Sequence, residues 1–265
     1  MTIKQKITER RDDMHADREE FQPIPVTSPV ERPLAFFLRC LVDLQLATIV
    51  KYLRPALASL SGRVVDVGAG ESPWRGWLPQ SATYHGIDVD SAAKFSMSVQ
   101  HRDVVYYDGN VMPFPDASFN AALCIEVLEH VPDPELLLRE TCRILQANSP
   151  LILTVPWSAR RHHIPHDFHR FTPETLRRML SKAGFVNIDI RERGNDIGAI
   201  ANKLTLLTLR LLQPKRYWHA VLTWPLGVIC GSVATGFIVS AHLSFALGLG
   251  SKDDPLGYFV LARKQ

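Results

Sequence analysis

Cysteine is scarce in this chain: four residues in 265, Cys40, Cys124, Cys142 and Cys230, with no CxxC pair among them. That spacing suggests neither a disulfide framework nor a zinc ribbon, and a reducing compartment fits it best. Charge of one sign is also lacking. The 30 basic and 27 acidic side chains leave a formal net charge of +3, without the strong basic excess of a general nucleic-acid binder. The first twenty residues mix both signs and hold no apolar core, which argues against an N-terminal secretory signal; residues 1–30 read as a flexible polar leader. No period repeats along the chain. With 46% hydrophobic and 22% charged residues, the composition is that of a folded protein with one large core or two small ones.

The near-neutral total hides an uneven distribution. Residues 1–150 carry a net −5, residues 151–219 a net +7 and residues 220–265 a net +1, and from Tyr217 to Ser251 thirty-five residues pass without Asp, Glu, Lys or Arg. Between these extremes, β-rich runs alternate with helical or loop stretches. Strands are expected at 63–67, 84–89, 103–107, 121–125, 151–155, 186–190 and 258–262, and helices at 134–146 and 173–183. An earlier helix is expected to open at Pro33 and end near Pro55. Alternation of this kind predicts an α/β fold with a largely parallel sheet. Thr172, Pro173 and Glu174 form a helix start, with Gly184 as its stop.

The most informative stretch is Val64-Val65-Asp66-Val67-Gly68-Ala69-Gly70-Glu71-Ser72-Pro73. A β-branched strand runs into a Gly-x-Gly turn, the place where an open α/β sheet binds a cofactor. Twenty residues after Gly68, Asp88 ends the second strand, at the spacing of a carboxylate that accepts ribose hydroxyls. A dinucleotide reading fits poorly. Pro73 stands where a third glycine would open the anion-binding helix, and Asp66 would repel a pyrophosphate while suiting a ligand with a cationic end.

These features resemble the class I S-adenosylmethionine-dependent methyltransferases, and within them the type-11 methyltransferase domain family that includes quinone-biosynthesis enzymes. The resemblance rests on Asp66-Val-Gly68-Ala-Gly70 with Ser72, on Gly86-Ile-Asp88 and on Asp108-Gly-Asn-Val-Met-Pro113-Phe-Pro-Asp116-Ala-Ser-Phe119. It continues at Glu126-Val-Leu-Glu129-His130-Val and at Pro165-His-Asp167-Phe-His-Arg170-Phe-Thr-Pro173-Glu174, covering about residues 60–190 and the last strand. It implies a Rossmann-like seven-stranded sheet with helices on both faces, and S-adenosyl-L-methionine as cofactor. Asp66, Gly68, Ala69, Gly70, Asp88, Val89, Asp108, Gly109 and Glu126 are the implied cofactor-binding positions. Among them Gly68 and Gly70 would pack on the methionine part, Asp66 would hold its amino group, Asp88 the ribose hydroxyls and Asp108 the adenine amino group.

Methyl transfer depends chiefly on bringing nucleophile and methyl carbon together, so no single catalytic side chain is obligatory. His130 and His166 are weak catalytic candidates at the carboxyl ends of strands four and five. His130 lies four residues after Glu126, on one face if a helix starts there; packing against the sheet with a backbone hydrogen bond is an equally good reading. Four of the ten histidines fall between 162 and 169, but Pro165 interrupts the spacing of His163, His166 and His169, so no metal is assigned. A loop over the cofactor mouth, shaped by an Asp167–Arg170 pair, is preferred.

Residues 196–255 exceed what a connection between the sixth and seventh strands requires. They read as a hydrophobic helical insertion in a domain formed by 31–195 and 256–265. Asp196–Gln213 has the pattern of an amphipathic helix, followed by the basic and aromatic cluster Lys215, Arg216, Tyr217, Trp218 and Trp224, then by the apolar stretch 226–249 broken by glycines. One crossing of a membrane would separate strands six and seven, and the stretch is short for two, since each takes about twenty residues. A re-entrant or surface-lying hairpin remains, contacting a membrane through 196–250, or a cap on the domain or on a homodimer partner. The expected activity is methylation of a small-molecule or lipid-linked acceptor, in the cytoplasm or peripheral or monotopic on a membrane. The alternatives are an inactive cofactor-binding protein and a methyltransferase acting on protein or nucleic acid. A nucleobase acceptor is disfavoured, because Cys124-Ile-Glu126-Val stands where an Asn-Pro-Pro-Tyr motif would be.

Overall fold

A computed structural model describes residues 21, 24–90, 103–214 and 216–265. Two helices, α1 (Pro33–Val42) and α2 (Leu44–Ala58), precede β1 (Gly62–Val67), β2 (Ala82–Val89), β3 (Val104–Tyr107) and β4 (Ala121–Ile125). Then follow α3 (Pro134–Ile144), β5 (Pro150–Pro156), α4 (Pro173–Lys182), β6 (Phe185–Arg193), α5 (Asp196–Leu212), α6 (Ala220–Leu247) and β7 (Gly257–Lys264). The seven strands form one sheet in the order β3-β2-β1-β4-β5-β7-β6. Only β7 runs antiparallel to its neighbours. The sheet order turns back between β1 and β4, which puts the crevice for a ligand at the carboxyl ends of those strands.

The central strands β1, β4 and β5 are buried along most of their length, as a sheet covered on both sides requires. Period-two alternation sends Val65, Val67, Ala122, Cys124, Leu151, Leu153 and Val155 to one face, where α3 and α4 cover them with Leu137, Leu138, Leu176 and Leu180. Val64, Ala121, Leu123 and Ile152 go to the other, under Ile49, Leu53 and Leu57 of α2. The helix starts have identifiable causes. Asp133 accepts from the Leu136 amide at 2.9 Å ahead of Pro134, and Thr172 accepts from the Thr175 amide ahead of Pro173, each satisfying one of the donors a helix start leaves open.

Two expectations change, on the segment from Pro33 and on the glycines of 226–249. The segment opening at Pro33 is two helices bent by 120°, because Asp43 ends the first and caps the second through Leu46 N; Pro55 lies inside α2 instead of ending it. No helix follows the glycine loop, which passes through turns and a short 3-10 segment, Arg75–Trp77. The glycines do not break 226–249 either, since α6 runs continuously for 28 residues, about 42 Å at the α-helical rise. Most of the polar leader, residues 1–20, lies outside the described residues. Its end is tied down: Phe21 O accepts from Arg160, and Ile24 O and Pro25 O accept from Arg39.

The insertion before β7 is a helical hairpin. Gly227 lets α6 close on Leu211 and Leu212 of α5, and Gly198 lets α5 close on Phe245 of α6. The carboxyl half of α6 packs on the domain through Ala241 and Phe245 against Leu44. Its outer face carries Val221, Leu222, Trp224, Leu226, Val228, Ile229, Val239, Leu243 and Leu247, each more than half exposed. The exposed hydroxyls Ser232, Thr235 and Ser240 each donate to the carbonyl four residues earlier in α6. Tyr217–Leu247 is long and apolar enough to cross a membrane, by length and composition.

Candidate active site

A cavity of about 1580 Å³ opens at the carboxyl ends of β1, β2, β3 and β4, and all nine expected cofactor positions line it: Asp66, Gly68, Ala69, Gly70, Asp88, Val89, Asp108, Gly109 and Glu126. Gly68 occupies the left-handed region at φ 70°, and a Cβ there would lie 2.5 Å from Val127 Cγ2. Both observations make glycine a requirement of the turn. Asp88 is nearly buried and orders the loop, accepting from Gly70 N at 2.9 Å and Val89 N at 2.8 Å with separate oxygens. Each oxygen keeps acceptor capacity for a ligand hydroxyl.

Asp66 is buried, and its carboxyl is pushed up to about 7 by burial. The hydroxyl of Tyr84, which donates to Asp66 at 3.0 Å, opposes part of that rise, and the charge of Asp88 adds to it. A cationic ligand group beside Asp66 would draw out its ionised form. Asp108 is exposed at the rim and accepts from the backbone and side-chain amides of Asn110, both at 2.9 Å. Those bonds hold its carboxyl below the usual range, so the rim carboxylate is ordered before any ligand arrives.

Glu126 and His130 do not share a helical face. Glu126, at φ 54°, directly follows β4, and a 3-10 turn, Leu128–His130, comes next. The Glu126 carboxylate instead accepts from Arg193 at 2.8 Å. Arg193 is fully buried at the end of β6 and also donates to Val155 O, Tyr258 O and Gln45 O. Sequence reading missed this arginine. No local pattern marks a buried cation, whose partners arrive from β4, β5, β7 and α2.

His130 and His166 both line the cavity. His130 Nδ1 is 2.8 Å from His166 O, so backbone bonding, the plainer of its two readings, describes its Nδ1 side. Burial and the neighbouring His162 push its pKa down to about 4. The loop from Arg160 to Arg170 folds over this turn: Asp167 pairs with Arg170 at 2.6 Å, as the preferred loop reading expected, and Phe168 N and His169 N donate to Glu129 O. The metal question also takes a different shape. The histidine spacing pointed to His163, His166 and His169, whereas the donor atoms of Glu129, His130 and His162 lie within 4.8 Å of one another. Glu129 is fully buried, both its carboxylate oxygens lack a hydrogen-bond partner among the described residues, and burial raises its pKa well above the usual range. These three residues could hold a divalent ion.

A glycine-turned first strand, an ordered acidic residue at the end of the second and a cavity at the switch in strand order define an α/β protein built for a nucleoside cofactor. A family model described as a methyltransferase domain matches residues 41–190. The chain therefore belongs to the methyltransferase domain family, of the class I S-adenosylmethionine-dependent type. Among its relatives, a fatty-acid O-methyltransferase of Mycolicibacterium smegmatis is 29% identical over 144 residues, 51% of each chain. A ubiquinone biosynthesis O-methyltransferase of Alkalilimnicola ehrlichii is 30% identical over 112 residues, 39% of this chain and 45% of that one. The chain thus spans about half the length of these relatives. A solved methyltransferase from Thermotoga maritima, described as a possible histamine N-methyltransferase, superposes with a TM-score of 0.52 at 15% identity over 89% of this chain and 97% of that one. One from Archaeoglobus fulgidus gives 0.50 at 17% identity over 87% and 100%. At such identities the likeness is one of fold.

Proposed function

We propose that the protein transfers a methyl group from S-adenosylmethionine to a small-molecule acceptor that is lipid-linked, at a membrane surface contacted by the α5–α6 hairpin. The observation that carries the reading is the cavity in which Gly68, Asp88 and Asp66 converge from β1 and β2. The family supports the cofactor, and relatives named for fatty-acid and ubiquinone-precursor methylation support a small-molecule acceptor.

The residues fit this cofactor. Gly68 leaves room for close backbone approach, Asp88 has acceptor capacity for ribose hydroxyls, and Asp66 offers its carboxyl to the amino group. When bound, S-adenosylmethionine supplies an electrophilic methyl carbon. The chain's own contribution is to hold acceptor and methyl group in line and to exclude water, a source of acceleration that needs no covalent intermediate. Arg193 fixes the Glu126 carboxylate on the wall, and the 160–170 loop closes the far side behind His130.

The membrane reading is supported by the uncharged outer face of α6 and by its self-satisfied hydroxyls, which leave few groups calling for water. Arg210, Arg216, Tyr217 and Trp218 at the hairpin tip suit an anionic interface. Two measurements test the proposal. Calorimetry should show S-adenosylmethionine binding that Asp88→Ala weakens at least tenfold; no binding, or binding indifferent to Asp88, overturns the cofactor assignment. The protein should float with anionic vesicles, and remaining in the soluble fraction overturns the membrane contact.

A further inference from the structure

The carboxylates around the turn after β4 have donors, with one exception. Glu126 accepts from Arg193, and Asp167 accepts from Arg170 with both oxygens. Glu129 differs. Its side chain is fully buried in the 3-10 turn Leu128–His130, behind the cavity wall, and neither of its oxygens has a hydrogen-bond partner among the described residues. A buried charge is normally paired or bound to a metal, and no strand-end residue of the cofactor site supplies Glu129 with either.

What stands beside it is imidazole. His130 Nε2 is 3.6 Å from Glu129 Oε1, and a ring nitrogen of His162, from the loop after β5, lies within 4.8 Å of donor atoms of both. The Nδ1 atoms are engaged on the other side. His130 Nδ1 is 2.8 Å from His166 O, and His162 Nδ1 is 3.1 Å from Arg160 O and 3.5 Å from Asp167 Oδ2. A carbonyl only accepts, so each ring carries its proton on Nδ1 and its lone pair on Nε2, the arrangement in which protein imidazoles bind metals. The loop is also fastened to the turn, since Phe168 N and His169 N donate to Glu129 O.

We propose that Glu129, His130 and His162 bind one divalent transition-metal ion, zinc or a close relative, which ties the turn after β4 to the 160–170 loop at the far side of the cavity. Two imidazoles and a carboxylate suit Zn2+, Co2+ or Fe2+, whereas Mg2+ and Ca2+ take oxygen donors. Ligands about 2.1 Å from one tetrahedral ion stand about 3.4 Å apart. The Glu129–His130 pair is already close to that spacing, and His162 has to draw in by at most about 1.4 Å. The burial that keeps water from Glu129 does not keep out the ion, whose centre comes within about 2.1 Å of a donor where a water oxygen needs about 2.8 Å. Entry is through the cavity, which His130 and His162 both line. The ion site stands on these donors and does not rest on the methyltransferase reading.

The test is titration of the full-length protein, first treated with a chelator, with Zn2+, Co2+ and Mg2+. Calorimetry should give one Zn2+ per chain. Zn2+ at a hundred times its Kd should raise the melting temperature by about 5–10 °C, and Mg2+ at the same concentration should leave it unchanged. Co2+ should develop visible ligand-field bands. Glu129→Gln and His162→Ala should each weaken Zn2+ binding about tenfold or more and remove the bands, with the far-ultraviolet spectrum retained; if Glu129→Gln does not fold, His162→Ala on its surface loop decides. His166→Ala keeps the carbonyl that orients His130 and should bind Zn2+ as the parent does. Absence of Zn2+ binding, Mg2+ bound as tightly as Zn2+, or unchanged binding in the Glu129 or His162 variant would overturn the proposal. So would a loss in His166→Ala as large as in His162→Ala, which is adventitious capture by a histidine-rich loop. S-adenosylmethionine binding by the same preparations is read separately, so failure of the cofactor reading and failure of the metal site are distinguishable.

Discussion

Replacing Arg193 with methionine tests how the floor of the site is held. The guanidinium is fully buried and donates to Glu126 at 2.8 Å, Val155 O at 3.1 Å, Tyr258 O at 3.3 Å and Gln45 O at 3.4 Å. Methionine fills most of the volume and removes every donor. Breaking one half of a buried ion pair costs about 3–5 kcal/mol. The Glu126 side chain is 25% exposed, on the cavity side, and its carboxylate recovers part of that through hydration, which places the expected loss near the lower bound, about 3 kcal/mol. For a chain of this size that corresponds to a fall in melting temperature of about 6–12 °C. Urea denaturation followed by circular dichroism measures it. The double variant Arg193→Met/Glu126→Gln should be less destabilised than the sum of the two singles by about 1–3 kcal/mol, since the second change removes the stranded charge. Gly257→Ala should mimic the single variant, because a Cβ there would occupy the space of the Arg193 guanidinium. A loss below about 1 kcal/mol, or strict additivity, would refute the buried clamp.

Other consequences follow from the same geometry. Gly68→Ala combines φ 70° with a clash on Val127, and should weaken S-adenosylmethionine binding at least tenfold by calorimetry while the far-ultraviolet spectrum is retained. Burial pushes the Asp66 carboxyl up to about 7 in the folded state, from the ordinary aspartate value of about 4. Between those values the folded protein holds the extra proton, so stability should fall as pH rises from about 4 to about 7, by at most about 4 kcal/mol, and level off above. Asp66→Asn should flatten that slope in denaturation curves. Cofactor binding that ionises Asp66 should release close to one proton at pH 6, seen by calorimetry in buffers of different ionisation enthalpy and absent in Asp66→Asn. On the hairpin, Val228→Asp with Ile229→Asp should reduce flotation with anionic vesicles at least tenfold, because one charge in an apolar layer costs about 2.5 kcal/mol or more.

The strands and the cofactor half of the site could be read from local signals. A β-branched run into Gly68-Ala69-Gly70 is a strand and its turn whatever surrounds it, and Asp88 ends the second strand because the repeat of the fold spaces it so. The caps at Asp133 and Thr172 are equally local, since a side-chain oxygen need reach only three residues on. Every one of these depends on backbone preferences, period-two burial or glycine's freedom, all of which act within a few residues.

Tertiary structure decided the rest. Asp43, not Pro55, ends the first helix, because its carboxylate captures Leu46 N where the chain turns onto the sheet. Glu126 turned from its helical neighbour to Arg193, sixty-seven residues away, since the strand order puts β4, β5, β7 and β6 side by side. The same long-range geometry brought a donor atom of His162 within 4.8 Å of those of Glu129 and His130. It also gave Gln45 of α2 the carbonyls of Ser158 and Leu256 as partners, more than one hundred residues away. Sequence alone determined where the chain folds into strands and where the cofactor loop lies, because those are short-range properties of the backbone. Which charges pair and which donors converge were settled only when distant segments were packed together, since their energies depend on burial and distance, which no spacing along the chain contains.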